Sequence, residues 1–279
     1  MEPIERVRIR AREGDAEVER DDLLAVEEPL EIRVRGRHGS PATSFVTTMR
    51  TPGHDEELAA GLLFAEGVLA RRSDLEALER PSDPRIEREL RANVVVATLG
   101  EEALARARKL VRGSVMGSAC GVCGKTSIEN VIPRDAPPLE ARWKIEPGLL
   151  YALPERLRER QSVFAETGGL HAAALFDRQG GLRDLREDIG RHNALDKLIG
   201  SRWLAGELAL GENLAMVSGR AGFELVQKAF AAGIPLLASV SAPSSLAVDL
   251  AEACGVTLVG FLRGKRFNVY AHAVRIDSR

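Results

Sequence analysis

Two of the three cysteines, Cys120 and Cys123, stand two residues apart in Gly117-Ser118-Ala119-Cys120-Gly121-Val122-Cys123-Gly124-Lys125. Glycines at 117, 121 and 124 disfavour helix and strand alike, so the stretch reads as a glycine-hinged loop carrying a thiol pair. Its surroundings are one-signed. Residues 103–128 include Arg106, Arg108, Lys109, Arg112 and Lys125 and no Asp or Glu. Nearby cations favour the thiolate, the reactive form of cysteine, and draw in anionic partners. Three chemistries use such a pair. A zinc knuckle needs four ligands, and the remaining cysteine, Cys254, ends an apolar helical pattern where it reads as core. A thioredoxin-like motif opens a helix straight after a strand, whereas this pair follows a helix. A persulfide carrier needs an accessible thiolate on a moving arm, a second thiol beside it and cationic surroundings, and all three features are present.

A second set of residues lies where strands are expected to end. Asp188-Ile189-Gly190-Arg191-His192-Asn193, Ser218-Gly219-Arg220-Ala221-Gly222 and Ser241-Ala242-Pro243-Ser244-Ser245 each follow an apolar strand and open a helix. Free N–H groups and the dipole make such helix starts anion sites, and arginine forks onto phosphate. The fourth, Gly260-Phe261-Leu262-Arg263-Gly264-Lys265-Arg266, is a basic, glycine-containing turn after the last strand. Together the four describe a phosphate or nucleotide crevice at the carboxyl edge of a sheet. The competing view is that glycine and polar residues merely turn the chain. Neither the P-loop pattern nor GxGxxG is present. His192 opens a helix beside the crevice, where ligand contact is plausible, whereas His171, on a strand, reads as structural.

The elements that must position these loops divide the 279 residues into two halves. In the first, strands are expected over residues 4–10, 16–20, 30–34 and 43–49. A helix follows Thr51-Pro52-Gly53, its face made by Leu58, Leu62, Leu63 and Ala65, and ends at Glu66-Gly67. A polar connection over 72–84, a long strand over 85–99 and a basic helix over 101–111 lead to the cysteine loop. Four prolines between 133 and 147 mark a linker. In the second half a helix over 148–162 precedes a hairpin, residues 171–176 and 182–187. Helices 191–204, 223–232 and 246–253 then alternate with strands 213–217, 235–240 and 256–262. That alternation implies a largely parallel sheet covered by helices. The division expected is a β-rich α+β domain over 1–140 and an α/β domain over 141–279.

Composition limits the partners. A net charge of -2 and 4% aromatic residues argue against nucleic-acid binding by bulk charge or base stacking. No apolar run is long enough to span a membrane. The first residues lack an export signal core, so a reducing cytoplasm is expected.

Glu28-Pro29-Leu30, Thr51-Pro52-Gly53 with Glu57-Leu58-Ala59-Ala60-Gly61, the Cys120–Cys123 motif, Thr167-Gly168-Gly169-Leu170-His171-Ala172-Ala173, Arg186-Glu187-Asp188-Ile189-Gly190-Arg191-His192-Asn193-Ala194, Ser218-Gly219-Arg220 and Ser241-Ala242-Pro243-Ser244-Ser245 together resemble the formate dehydrogenase accessory sulfurtransferase family, FdhD. The resemblance covers most of the chain in the same order and is weakest over the first 25 residues and over 133–147. It implies a sulfurtransferase that takes persulfide sulfur from a cysteine desulfurase. The sulfur passes to the molybdenum or tungsten bis(molybdopterin guanine dinucleotide) cofactor, which is bound as substrate and required by formate dehydrogenase. A guanine nucleotide would occupy the same site. The resemblance also implies a cytidine-deaminase-like α/β/α fold for the C-terminal domain. Ala173 stands where a deaminase needs its catalytic Glu, so neither zinc nor deamination is expected. The family's cysteine motif falls on Cys120 and Cys123, and its cofactor-contacting segment on Gly260, Phe261, Leu262, Arg263, Gly264, Lys265 and Arg266. Arg191, His192, Ser218, Gly219 and Arg220 join them as expected cofactor contacts. A two-armed cofactor suggests a twofold homodimer. The alternative function is a chaperone that holds the cofactor without transferring sulfur.

Overall fold

The computed structural model describes the chain apart from residues 1, 38–39, 83–86, 88–90, 114–136, 141, 209 and 278–279. Cys120 and Cys123 lie outside the described residues. A hairpin of β1 (Ile4–Glu13) and β2 (Ala16–Ala25) comes first. β3 (Glu28–Gly36), β4 (Thr43–Arg50), β5 (Leu75–Glu79) and β6 (Val94–Leu99) form a four-stranded sheet in the order β4-β3-β6-β5. Its apolar face is covered by α1 (Asp55–Ala65) and α2 (Glu101–Gly113), which bury Leu58, Leu63, Ala103 and Ala107 against Leu30, Ile32, Val95 and Ala97.

The second half is a six-stranded sheet in the order β12-β11-β10-β9-β7-β8. Its strands are β7 (His171–Asp177), β8 (Leu182–Asp188), β9 (Asn213–Val217), β10 (Leu236–Ser239), β11 (Thr257–Arg263) and β12 (Arg266–Ala271). On one face lie α5 (Arg191–Leu204), α6 (Phe223–Ala231) and α7 (Ser245–Cys254), packed on Ala173, Leu175, Ala215, Val217, Leu237 and Leu258. On the other, α3 (Pro147–Arg158) with Trp143 and Ile145 covers Ala172, Ala174, Phe176, Met216 and Val259. Alternate residues of each strand serve opposite faces, and both faces are dry, which is why β7 and β9 read as unbroken apolar runs. α4 (Ser162–Thr167) packs beside β2.

The architecture is the expected α/β one, a helix-covered sheet after a smaller β-rich region, with local differences. Within the six-stranded sheet only the β9-β10-β11 core is paired in parallel; β7 runs antiparallel to both its neighbours, and β12 antiparallel to β11. Two hairpins at the sheet's edges, β7-β8 and β11-β12, cause this. Residues 72–84 hold an edge strand, β5, as well as a connection; the polar side chains of an edge strand resemble a loop. The strand expected over 85–99 is ordered as β over Val94–Leu99. The helix expected over 148–162 breaks at 159–161, giving α3 and α4. The chain does not end its sheet at residue 262: β12 follows, so 260–266 belongs to a hairpin.

The two halves meet along α1 and α5. Gly61 and Gly200 let the helix backbones touch. A Cβ on Gly61 would lie 1.9 Å from the Asp196 carbonyl oxygen, and one on Gly200 1.8 Å from that of Glu57. α1 is therefore buried on two sides, by its own sheet and by α5, which explains its weak one-faced pattern. Trp203 of α5 reaches into the N-terminal core.

The polar groups at this seam are matched. Arg186 Nη2 donates to Glu57 Oε1 at 2.9 Å. Burial would raise the Glu57 carboxyl, but Arg186 and His54 hold it at about 2. Ser201 Oγ donates to Asp184 at 2.8 Å. In the N-terminal half Arg50, fully buried, forks onto Asp55 at 2.9 and 3.1 Å and donates to Asn93 at 2.8 Å.

Candidate functional site

The carboxyl ends of β8, β9, β10 and β11 fall along one edge, joined there by the start of β7. The pairings His171↔Asp188 and Ala173↔Val217 place β7 between β8 and β9. Backbone hydrogen bonds tie the loops of this edge side by side. Ser218 N donates to Ala172 O at 3.0 Å, and Ala172 N to Ser218 Oγ at 2.9 Å. Ser244 N donates to Ala221 O and Phe261 N to Ser241 O, both at 3.1 Å. The loops expected to form a crevice are therefore neighbours in space.

Two helices start here without a side-chain cap, α5 after Gly190 and α6 after Gly222. Their first N–H groups are open to a ligand. Arg191, on the first turn of α5, passes over Gly219, where a Cβ would meet the His171 ring at 3.2 Å and Arg191 Cδ at 3.7 Å. A side chain at 219 would thus press on both. Arg191 Nε is buried and has no hydrogen-bond partner, an orphaned donor of a kind that protein interiors rarely leave. Arg220, Arg263, Lys265 and Arg266 are exposed. Among the described residues no carboxylate pairs with any of these five cations; the Arg263 guanidinium lies 5.8 Å from the centre of the Phe261 ring. Phe261 itself holds φ at +52°, a left-handed conformation rare outside glycine, at an irregularity between Gly260 and Arg263 in the β11-β12 pairing. Leu262 and Gly260 are buried, Leu262 with its side chain in the core, so these two offer the edge only backbone.

His192 is held differently from the arginines. Its Nε2 lies 3.2 Å from Glu224 Oε2 on α6. Burial outweighs that carboxylate and lowers its pKa to about 4, so it is a neutral ring at pH 7. His171 is lowered as well, by burial and then by Arg191. One turn deeper, Asp196 on α5 accepts from Lys228 on α6 at 2.7 and 2.9 Å. Burial pushes Asp196 up to about 6 despite that lysine. Glu224, Lys228 and Asp196 were not among the expected site residues. Their signal was two i,i+4 pairs, His192 with Asp196 and Glu224 with Lys228, on helices otherwise apolar on that side.

The structure thus brings together His192, Arg191, Ser218, Gly219, Arg220 and the 260–266 hairpin. Cys120 and Cys123 fall outside the described residues; α2, which leads toward them in the chain, packs on the N-terminal sheet. Among the described residues no three His, Cys, Asp or Glu side chains gather as a metal site, and no helix is long and apolar enough to cross a membrane.

Residues 25–277 match the model of the FdhD/NarQ family. A protein of Streptomyces avermitilis named sulfur carrier protein FdhD is 48% identical over 279 residues, covering 97% of this chain and 94% of its own. A Mycobacterium tuberculosis protein of the same name is 48% identical over 274 residues, covering 96% and 97%. One from Sulfurisphaera tokodaii is 40% identical over 273 residues, covering 98% and 99%. A crystal structure from Desulfotalea psychrophila, of a protein described as a formate dehydrogenase accessory protein, superposes with a TM-score of 0.74 at 23% identity and covers 99% of this chain and all of the other. At that identity the last match speaks for the fold. On the family model and the near-full-length relatives, the chain belongs to the FdhD/NarQ family.

Proposed function

We propose that this chain is a sulfur carrier in the maturation of formate dehydrogenase and that its crevice holds the cofactor to be sulfurated. The observation that supports the carrier role is the near-full-length identity to proteins named sulfur carriers. The row of cations without carboxylate partners along a sheet edge supports the crevice. In this reading the Cys120 thiolate attacks the terminal sulfur of a cysteine desulfurase persulfide. An S–S bond forms on Cys120, and the desulfurase thiolate leaves. Cys123, as thiolate, then attacks the inner sulfur on Cys120. A Cys120–Cys123 disulfide forms, hydrosulfide is released toward the cofactor, and a thiol reductant restores the pair. Arg191, Arg220, Arg263 and Lys265 neutralise phosphates of the cofactor's nucleotide arms, and the uncapped starts of α5 and α6 add N–H donors. Neutral His192, its Nε2–H directed at Glu224, contributes no charge.

The test is intact-protein mass spectrometry after incubation with a desulfurase and cysteine, on wild type, Cys120→Ser and Cys123→Ser. The expected result is a reductant-sensitive gain of about 32 Da, lost in Cys120→Ser. No gain on any variant overturns the carrier role and leaves a cofactor-holding chaperone acting through the crevice.

A further inference from the structure

Asp188 ends β8 at the crevice edge and is fully buried. Its carboxylate gathers four donors. Oδ1 accepts from Gly190 N at 2.8 Å and from Asn193 Nδ2 at 3.1 Å. Oδ2 takes Thr51 N at 3.2 Å and the ammonium of Lys197 at 2.7 Å. Three of these partners belong to the crevice loop and α5; Thr51 belongs to the turn between β4 and α1, in the other half of the chain.

That turn answers with bonds of its own. Ile189 N donates to Thr51 Oγ1 at 3.2 Å, Lys197 Nζ to Thr51 O at 2.8 Å, and Asn193 Nδ2 to Met49 O at 2.7 Å. Residues 189–193 are therefore bonded on one side to Asp188 and on the other to residues 49–51. Arg191 sits inside this clamped stretch and passes over Gly219. A carboxylate buried only to neutralise Lys197 would need one partner; this one spends three further acceptor positions on backbone and amide N–H groups of a single loop and the turn facing it.

We infer that Asp188 is a positioning residue that, with Thr51, fixes loop 189–192 from the N-terminal half, so that the crevice is a composite of both halves. This deepens the cofactor-crevice reading above and rests on it for its ligand. The half that leads to the cysteine pair thereby holds the arginine loop of the ligand edge.

The experiment uses full-length protein in two variants. Asp188→Ala/Lys197→Met removes the acceptors without leaving a buried charge. Thr51→Val keeps the side-chain shape, removes the hydroxyl that accepts from Ile189 N, and serves if the double variant does not fold. Hydrogen exchange of the amides of Thr51, Ile189 and Gly190 is followed in the ligand-free proteins, with Val95 and Ala97 as internal references. Guanosine diphosphate binding is measured by calorimetry. The expected result is exchange at least about tenfold faster at Thr51 and Gly190 in the double variant with the references unchanged, and guanosine diphosphate affinity down about tenfold, a loss of about 1.4 kcal/mol. Thr51→Val should show the same pattern, smaller and centred on Ile189. Loop amides that exchange as in wild type in a folded variant overturn the positioning role. So does faster exchange with unchanged affinity. Wild-type protein that does not bind guanosine diphosphate overturns the crevice reading instead, and the exchange data then decide on the clamp alone.

Discussion

In the seam between the halves, Glu57, Asp184 and Asp188 each meet a cation, and the helix backbones touch at Gly61 and Gly200. Along the carboxyl edge of the six-stranded sheet, Arg191, Arg220, Arg263, Lys265 and Arg266 meet no carboxylate among the described residues. Both regions are rich in arginine, and they use it for different ends. In the seam a lone buried charge would cost several kcal/mol, so each carries its partner and the pairs specify how the halves dock. At the edge water can solvate Arg220, Arg263, Lys265 and Arg266, and the repulsion among like charges is tolerable until an anion relieves it. The seam can therefore be broken by changing shape or pairing, and the edge only by changing ligand affinity.

The largest effect is expected at the seam's narrowest point. Gly200→Val places side-chain carbon against the Glu57 backbone, which cannot swing aside as a side chain would. A loss of about 3 kcal/mol or more is expected in urea unfolding, with little soluble protein. Near-normal stability would mean the helices are farther apart than described.

Next is Arg50→Met. It leaves Asp55 with Arg80 as its remaining cation and takes the Arg50 donor from Asn93 Oδ1, at about 2 kcal/mol in the same assay. Its effect on guanosine diphosphate affinity, passed on through the neighbouring Met49 and Thr51 contacts, should be smaller than its effect on stability. Arg220→Gln and Arg263→Gln should do the reverse, with stability within about 0.5 kcal/mol of wild type and affinity reduced several-fold, less so at high salt. If Arg50→Met weakened binding and Arg263→Gln did not, the contrast between the two regions would be wrong.

Protonation separates His192 from Asp196, although both face α6. The folded pKa of His192, about 4, is below its ordinary 6.5. The unfolded chain takes up a proton first, so this residue's contribution is present above 6.5 and is lost as pH falls toward 4. Asp196 is raised from 3.8 to about 6. Here the folded protein takes up the proton first, so its contribution is complete below 3.8 and is lost as pH rises through 6. On going from pH 7 to pH 5, His192→Gln should gain about 1–2 kcal/mol relative to wild type, and Asp196→Asn should lose stability relative to wild type. Shifts of the same sign in both variants would contradict these environments.

How much of this was legible in the sequence depended on whether a signal was local. β9, β10, α6 and α7 follow from short apolar runs alternating with helical periods, because each pattern is set by its own residues. That these loops gather at one carboxyl edge was legible for the same reason. The antiparallel placement of β7 and the pairing of β12 depend on long-range partners and leave no local trace. β5 was hidden by its edge position. The docking glycines were unremarkable as sequence: Gly61 and Gly200 matter only because two helices distant in the chain cross there. Asp188 was visible in its motif, but its partner Thr51 lies 137 positions away, and no spacing rule joins them.

The smallest expected effect tests a third regime, charges that are paired and exposed. On the β1-β2 hairpin, Arg8 lies 3.2 Å from Asp21 and 3.7 Å from Glu19, and Arg10 3.4 Å from Glu19. These side chains are 48–74% exposed. Water screens such pairs, and holding two long side chains in register costs entropy, so each is worth at most about 0.5 kcal/mol. A double-mutant cycle on Arg8→Ala and Asp21→Ala should give a coupling of that size in urea unfolding, shrinking as salt is raised. The hairpin packs on the rest of the chain mainly through β2 against α4, so nothing else described here excludes water from the ladder. A coupling near 2 kcal/mol that resisted salt would require the ladder to be covered in solution, and the exposed hairpin would then join the seam as a docking surface.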